Sequence, residues 1–167
     1  MRVVVLAPLV LLAAIASAQS SSQPAAGSKS KREPPPGTLH SLAVKGNQMY
    51  SAADIARESG LKPGERITPA IIDQARKKLQ DTELFNDVSY DYHFSAGTVP
   101  GYDVTFEVAE NQQVFPMRFE RIGLTPEAAR ACLKTHVDLY SDRIPAAEGV
   151  LKRYTAAVQD CVNATNS

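Results

Sequence analysis

The sequence predicts an α+β fold. One complete unit runs strand, helix, helix, strand, strand, with both helices on one face of a three-stranded sheet, and a partial second unit of one strand and two helices follows. Three observations carry this. Val88, Tyr90, Tyr92 and Phe94 alternate with Ser89, Asp91, His93 and Ser95, and Val104, Phe106 and Val108 repeat that period against Thr105 and Glu107, the pattern of two half-buried strands. Ile71, Ile72, Ala75 and Leu79 lie on one stripe, with Asp73, Arg76, Lys77 and Lys78 elsewhere, as in an amphipathic helix packed on something flat. Ser51, Thr68 and Thr125 each stand just before a helical pattern, where a hydroxyl can accept an otherwise unpaired amide.

The chain opens differently from the rest. Arg2 gives a positive start, Val3 to Ile15 is apolar apart from Pro8, and Ala16-Ser17-Ala18 ends in the small-x-small pattern of a cleavage site. Residues 1–18 therefore read as a secretory signal peptide cut after Ala18, with Ala16 and Ala18 as the small residues. The alternative, a retained anchor, conflicts with an apolar run shorter than the roughly 20 residues that span hydrocarbon. Residues 19–38 are rich in Ser, Gln, Ala, Pro and Gly, with a basic cluster of Lys29, Lys31 and Arg32 and then Pro34-Pro35-Pro36. That composition predicts a disordered tether, its three cations simply solvated.

Ordered structure is expected from Leu39. Leu42 and Val44 alternate with polar or small neighbours, and Gly46-Asn47 marks a turn. Ser51, with Asp54 three residues on, opens a short helix that Gly60 ends. Leu61 to Ile67 reads as a loop containing Pro63-Gly64. Thr68 caps the next helix, whose first residue, Pro69, occupies a position where no N–H is needed. The two alternating strands follow, joined by a hairpin loop over Ala96 to Gly101. One face of their sheet is aromatic and branched, and the other is polar and wet.

Val44-Lys45-Gly46-Asn47, Gly60-Leu61-Lys62-Pro63-Gly64, a helix ending in Leu79, Leu84-Phe85-Asn86-Asp87-Val88 and Phe106-Glu107-Val108-Ala109-Glu110 together resemble a POTRA domain, the polypeptide-transport-associated module of outer-membrane assembly factors and two-partner-secretion transporters. The resemblance covers residues 39–110. It gives Val44, Gly46, Asn47, Gly60, Gly64, Leu79, Phe85, Val88, Phe106, Val108 and Glu110 as the structural residues of the family motif. The sequence departs from the pattern at Glu83, where the family usually has Gly, and this speaks against a left-handed backbone in that turn.

Residues 111–167 repeat the theme incompletely. Met117 to Ile122 is a strand candidate, Gly123 stands as Gly46 did, and Thr125-Pro126 starts a helix to about Lys134. After Pro145 comes a longer helix with Ala147, Val150, Leu151, Tyr154, Val158, Cys161 and Val162 at helical spacing. This is either the front of a second POTRA-like unit or a helical cap on the first. Cys132 and Cys161 both face the space between these helices. In an oxidising compartment they form a disulfide closing a loop worth about 3 kcal/mol, or they remain buried thiols if their α-carbons stand too far apart.

Chemistry of other kinds is thinly supplied. Eighteen Lys plus Arg balance eighteen Asp plus Glu, so bulk charge gives no argument for nucleic acid. His40, His93 and His136 lie on separate elements and are read as having no second ligand at a spacing such as i, i+4, so no metal site is expected. There is no nucleophile motif and no phosphate loop, and Glu107 and Glu110 fall on opposite strand faces. The expectation is a non-enzyme without cofactors. What a small open sheet does offer is an edge of unpaired N–H and C=O groups that can accept an extended peptide. The resemblance implies that the strand of Asn86, Asp87, Val88, Ser89, Tyr90, Asp91, Tyr92 and His93 is that edge, with Tyr90 and Tyr92 serving the core. It further implies an exported, periplasmic protein associated with the outer membrane. Its partners would be unfolded outer-membrane or secreted polypeptides, a barrel protein, or other POTRA modules. The competing reading is a structural spacer or scaffold in an envelope or cell-division complex.

Overall fold

The computed structural model describes residues 34–165, so the expected signal peptide, its cleavage site and most of the expected tether lie outside the described residues. Ten elements follow in order: β1 (Gly37–Lys45), α1 (Ala52–Ser59), β2 (Arg66–Ile67), α2 (Pro69–Gln80), β3 (Phe85–Ser95), β4 (Gly101–Glu110), β5 (Val114–Pro116), α3 (Pro126–His136), β6 (Arg143–Pro145) and α4 (Glu148–Thr165). Strand structure thus begins at Gly37, two residues before the expected start, because Gly37 and Thr38 pair with Ile67 and Arg66 of β2. That pairing turns the end of the expected 61–67 loop into a short fourth strand.

The first sheet has the order β2-β1-β4-β3. β1 and β4 run parallel, with Leu42 opposite Val104 and Val44 opposite Phe106. β3 and β4 are antiparallel, with Val88 opposite Val108 and Tyr92 opposite Val104. Period-two alternation sends Tyr102, Val104, Phe106 and Val108 inward, and all four are buried. Ser89, Asp91 and His93 of β3, together with Asp103 and Glu107 of β4, are exposed on the other face.

Helices α1, α2 and α3 start where their hydroxyls predict. Ser51 Oγ accepts from the Asp54 amide at 3.1 Å, Thr68 Oγ1 from Ile71 at 3.3 Å and Thr125 Oγ1 from Ala128 at 3.2 Å. α1 ends on Gly60, whose φ of 81° lets its amide reach the Arg57 carbonyl. In α2 the buried stripe is Pro69, Ile72, Ala75 and Leu79. Ile71, expected on that stripe, is exposed instead, since a residue adjacent to Ile72 is turned about 100° away around the helix.

In the last third the expected strand over Met117 to Ile122 is absent. Pairing occurs earlier, between Val114–Pro116 and Arg143–Pro145. Beyond it the chain is irregular, with Arg121 and Gly123 both left-handed at φ 56° and 79°, which no continuous strand accommodates. Along α4, Val150, Tyr154, Ala157 and Cys161 are buried, whereas Leu151 is exposed. Leu133, Val137, Leu139, Ile144, Val150 and Tyr154 belong to the same hydrophobic cluster as Leu84, Phe85 and Phe106. A single core therefore runs through both parts, and a disulfide joins Cys132 of α3 to Cys161 of α4.

Candidate functional site, an open sheet edge

β3 is the last strand of its sheet, with β4 on one side and no strand on the other among the described residues. Its eleven residues make it the longest strand of the described structure. An edge of that length offers a row of backbone donors and acceptors to an incoming extended chain. Asn86 sits in an irregularity of the β3–β4 register, where an extra residue bends the strand and sharpens its twist. From Asp87 to Ser95 the pairing is regular.

The eight residues expected at the edge divide by face. Asp87, Ser89, Asp91 and His93 are exposed on the polar side, and Asn86 is exposed in the bulge. Val88 is buried and Tyr90 half-buried on the helix side, but Tyr92 retains 37% of its surface. Tyr92 stacks beside Tyr90 at 6.3 Å and meets the edge of Tyr102 at 5.5 Å, while Phe94 lies 4.9 Å from Tyr102. The Tyr102 hydroxyl donates to the Pro35 carbonyl at 2.8 Å. The polyproline run thus covers one end of an aromatic cluster and leaves Tyr92 beside the edge. On the polar face Ser41 donates to Asp103, which faces His93 in register.

The residues of the family motif hold this sheet and its loops together. The buried Glu110 carboxylate accepts three backbone amides from the loop between β1 and α1: Gln48 at 3.0 Å, Met49 at 2.7 Å and Tyr50 at 3.1 Å. Asn47 Nδ2 donates to the Tyr50 carbonyl in the same loop. Gly46 is left-handed at φ 81°, and a Cβ there would lie 2.2 Å from the Val108 carbonyl oxygen, so close backbone approach requires glycine. Gly64 donates its amide to Leu39. Leu79, Val88, Phe106 and Val108 are buried, Val44 is half-buried against Phe106, and Phe85 meets Tyr50 edge-on at 6.0 Å. Burial, with the neighbouring charges of Tyr154 and Glu110, raises the pKa of Tyr50.

Three features correct or extend the sequence reading. Glu83 is left-handed after all, at φ 60°. Its carboxylate accepts the Gly149 amide near the start of α4 at 2.8 Å, a contact with the helix N-terminus that compensates the strained backbone. Second, the expectation that no histidine has a ligand partner at helical spacing is wrong for His136. Cys132 stands four residues before it on α3, with His136 Nδ1 3.5 Å from Cys132 Sγ. Third, Phe115, Met117, Phe119, Ile122, Leu151 and Val158 line an apolar groove of about 450 Å³ beside α4. Leu151, placed on the apolar stripe by spacing alone, belongs to that groove.

The family model of POTRA, described as surface antigen variable number repeat, matches residues 38–111. No curated protein matches the chain. Among solved structures, the N-terminal domain of Omp85 from the thermophilic cyanobacterium Thermosynechococcus elongatus is 15% identical, with a TM-score of 0.43, over 77% of this chain and 50% of that one. POTRA1-2 of the periplasmic domain of Omp85 from Anabaena is 13% identical, with a TM-score of 0.41, over 75% and 76%. Haemophilus influenzae BamA POTRA3-5 is 18% identical, with a TM-score of 0.41, over 78% and 54%. The chain thus spans half the length of the first of these and about half that of the last. From the matched residues, the β-α-β-α-β-β order within them and the motif contacts of Gly46 and Glu110, residues 38–111 are a POTRA domain.

Proposed function

We propose that this protein is an exported periplasmic module that docks or holds unfolded polypeptides in outer-membrane protein assembly or secretion, by strand addition at the β3 edge. One observation carries the reading: β3 is a long strand at the end of its sheet, regularly paired from Asp87 to Ser95 on one side only among the described residues. Main-chain hydrogen bonds would supply the affinity, so recognition is tolerant of guest sequence. Tyr92, partly exposed beside the edge, offers an aromatic surface to guest side chains on the helix face. Asp87, Ser89, Asp91 and His93 keep the other face polar, which limits uncontrolled edge-to-edge pairing between copies.

Amide hydrogen exchange of the protein, with and without an unfolded outer-membrane polypeptide, tests this. Added protection concentrated in residues 86–95 is the expected result. Unchanged exchange along β3 in the presence of bound polypeptide would sink it and favour the spacer or scaffold reading. Replacing Ser89 or Asp91 by Pro removes an amide and places a ring on the strand. Abolished binding with folding retained is expected where that amide faces outward from the edge.

A further inference from the structure

We propose that Cys132, His136 and Cys161 form a soft-metal site of Zn(II) type that their disulfide closes and its reduction opens. The ligand atoms of the three residues lie within 4.8 Å of one another. Cys132 and His136 share a face of α3 at i, i+4, and Cys161 comes from the facing helix α4. Two thiolates and an imidazole are a donor set that favours zinc over hard cations.

The distances fit that role along one edge and come within about 0.5 Å of it along a second. With Zn–S near ~2.3 Å and Zn–N near ~2.0 Å, a tetrahedral site places nitrogen and sulfur about 3.5 Å apart. His136 Nδ1 stands 3.5 Å from Cys132 Sγ and 4.0 Å from Cys161 Sγ. The remaining edge, between the two sulfurs, is occupied by a covalent bond in the disulfide state. A bare pair of thiolates at such a site would separate to about 3.8 Å on the same geometry. Cys161 is buried, Cys132 half-buried and His136 exposed, so an ion arrives from the His136 side and keeps a solvent-facing fourth position.

In the disulfide state the imidazole is held by its own helix, with Nδ1 2.9 Å from the Cys132 carbonyl and 3.0 Å from Thr135 Oγ1. Metal binding exchanges those contacts for the ion and leaves the neutral ring's proton on Nε2. Opening the site takes two electrons. With a phosphine as reductant, the S–S bond breaks, phosphorus takes the oxygen of one water as phosphine oxide, and the two protons of that water end on the sulfurs. Both thiol protons are then released to solvent when the metal binds.

The test uses the full chain, reduced with a phosphine without oxygen and titrated with Co(II), then with Zn(II). The reduced chain is expected to take one equivalent of cobalt with a near-ultraviolet thiolate-to-cobalt band that zinc abolishes, and the disulfide form is expected to show no such band. His136→Ala, at an exposed position, should keep the fold and weaken chelator-competed zinc affinity by at least the ~10- to 100-fold that loss of even an outer partner costs. Absence of the band in the reduced chain overturns the proposal. So does unchanged zinc affinity in His136→Ala.

Discussion

Glu83 Oε2 accepts the backbone amide of Gly149 at 2.8 Å across 66 residues of sequence. Beside it, Arg153 donates to the Thr82 carbonyl at 3.3 Å. Two polar contacts therefore fasten α4 to the turn between α2 and β3. Glu83→Gly relieves a left-handed backbone that costs a side-chain-bearing residue about 1–2 kcal/mol but removes the contact at the helix start, worth about 1 kcal/mol. Global stability in denaturant melts should change by less than about 1 kcal/mol. Amide exchange in the first turn of α4 should nevertheless accelerate.

Glu110 supports the β1–α1 loop through three charge-assisted bonds. Glu110→Ala leaves those amides unpaired in a buried site and should destabilise the domain by about 3–4 kcal/mol. Glu110→Gln keeps one acceptor oxygen and should lose about 1–2 kcal/mol. Equal losses for the two variants, in chemical denaturation, would show that packing and not the carboxylate matters there.

Gly46 and Gly123 share a left-handed backbone but not a neighbour. A Cβ at Gly46 would collide with the Val108 carbonyl, whereas a Cβ at Gly123 meets nothing within 4 Å. Gly46→Ala is expected to cost about 3 kcal/mol or more and Gly123→Ala about 1 kcal/mol, by thermal or denaturant melts of the two variants. The difference measures what a closing strand adds at the equivalent turn.

The Tyr50 hydroxyl is buried with no hydrogen-bond partner among the described residues. Tyr50→Phe removes an unsatisfied group and should stabilise the fold by about 1 kcal/mol. The pH dependence has a definite sign. Burial raises the folded pKa above the ordinary value of 10.0, so the stabilisation is complete below that value. It is lost as the pH climbs above 10, where the unfolded chain releases the phenolic proton first. Tyr140 and Tyr154 are raised in the same direction, chiefly by burial. The phenylalanine variant should therefore lose stability less steeply in alkaline melts, without becoming flat.

Much of the first domain was legible in the sequence because its signals are long or chemically specific. Ser51 and Thr68 announce helices by their hydroxyls, and Val88 to Phe94 announce a strand by four turns of alternation. β2, β5 and β6 have two or three residues each, too few for any period to register. Pro116 and Pro145 further disguise the second ladder, which admits them only at its ends. The edge position of β3 followed from the resemblance, since alternation shows which face is buried but not which strand lies outermost. At Glu83 a local rule about glycine misled, because the compensating partner lies in a helix far along the chain. At His136 the informative pair mixed two ligand types, cysteine and histidine.

The parallel pairing of β1 with β4 sets a direction of travel for the polypeptide. The chain comes into the domain at the Gly37 end of the sheet and departs at Glu110, the opposite end, where β1 also finishes. Each such domain therefore advances its chain by about 30 Å, nine residues at ~3.3 Å each, instead of returning it to its origin as a hairpin would. Whatever follows Glu110 therefore starts from the far end of the sheet, and an extended chain added along β3 would lie along that same line.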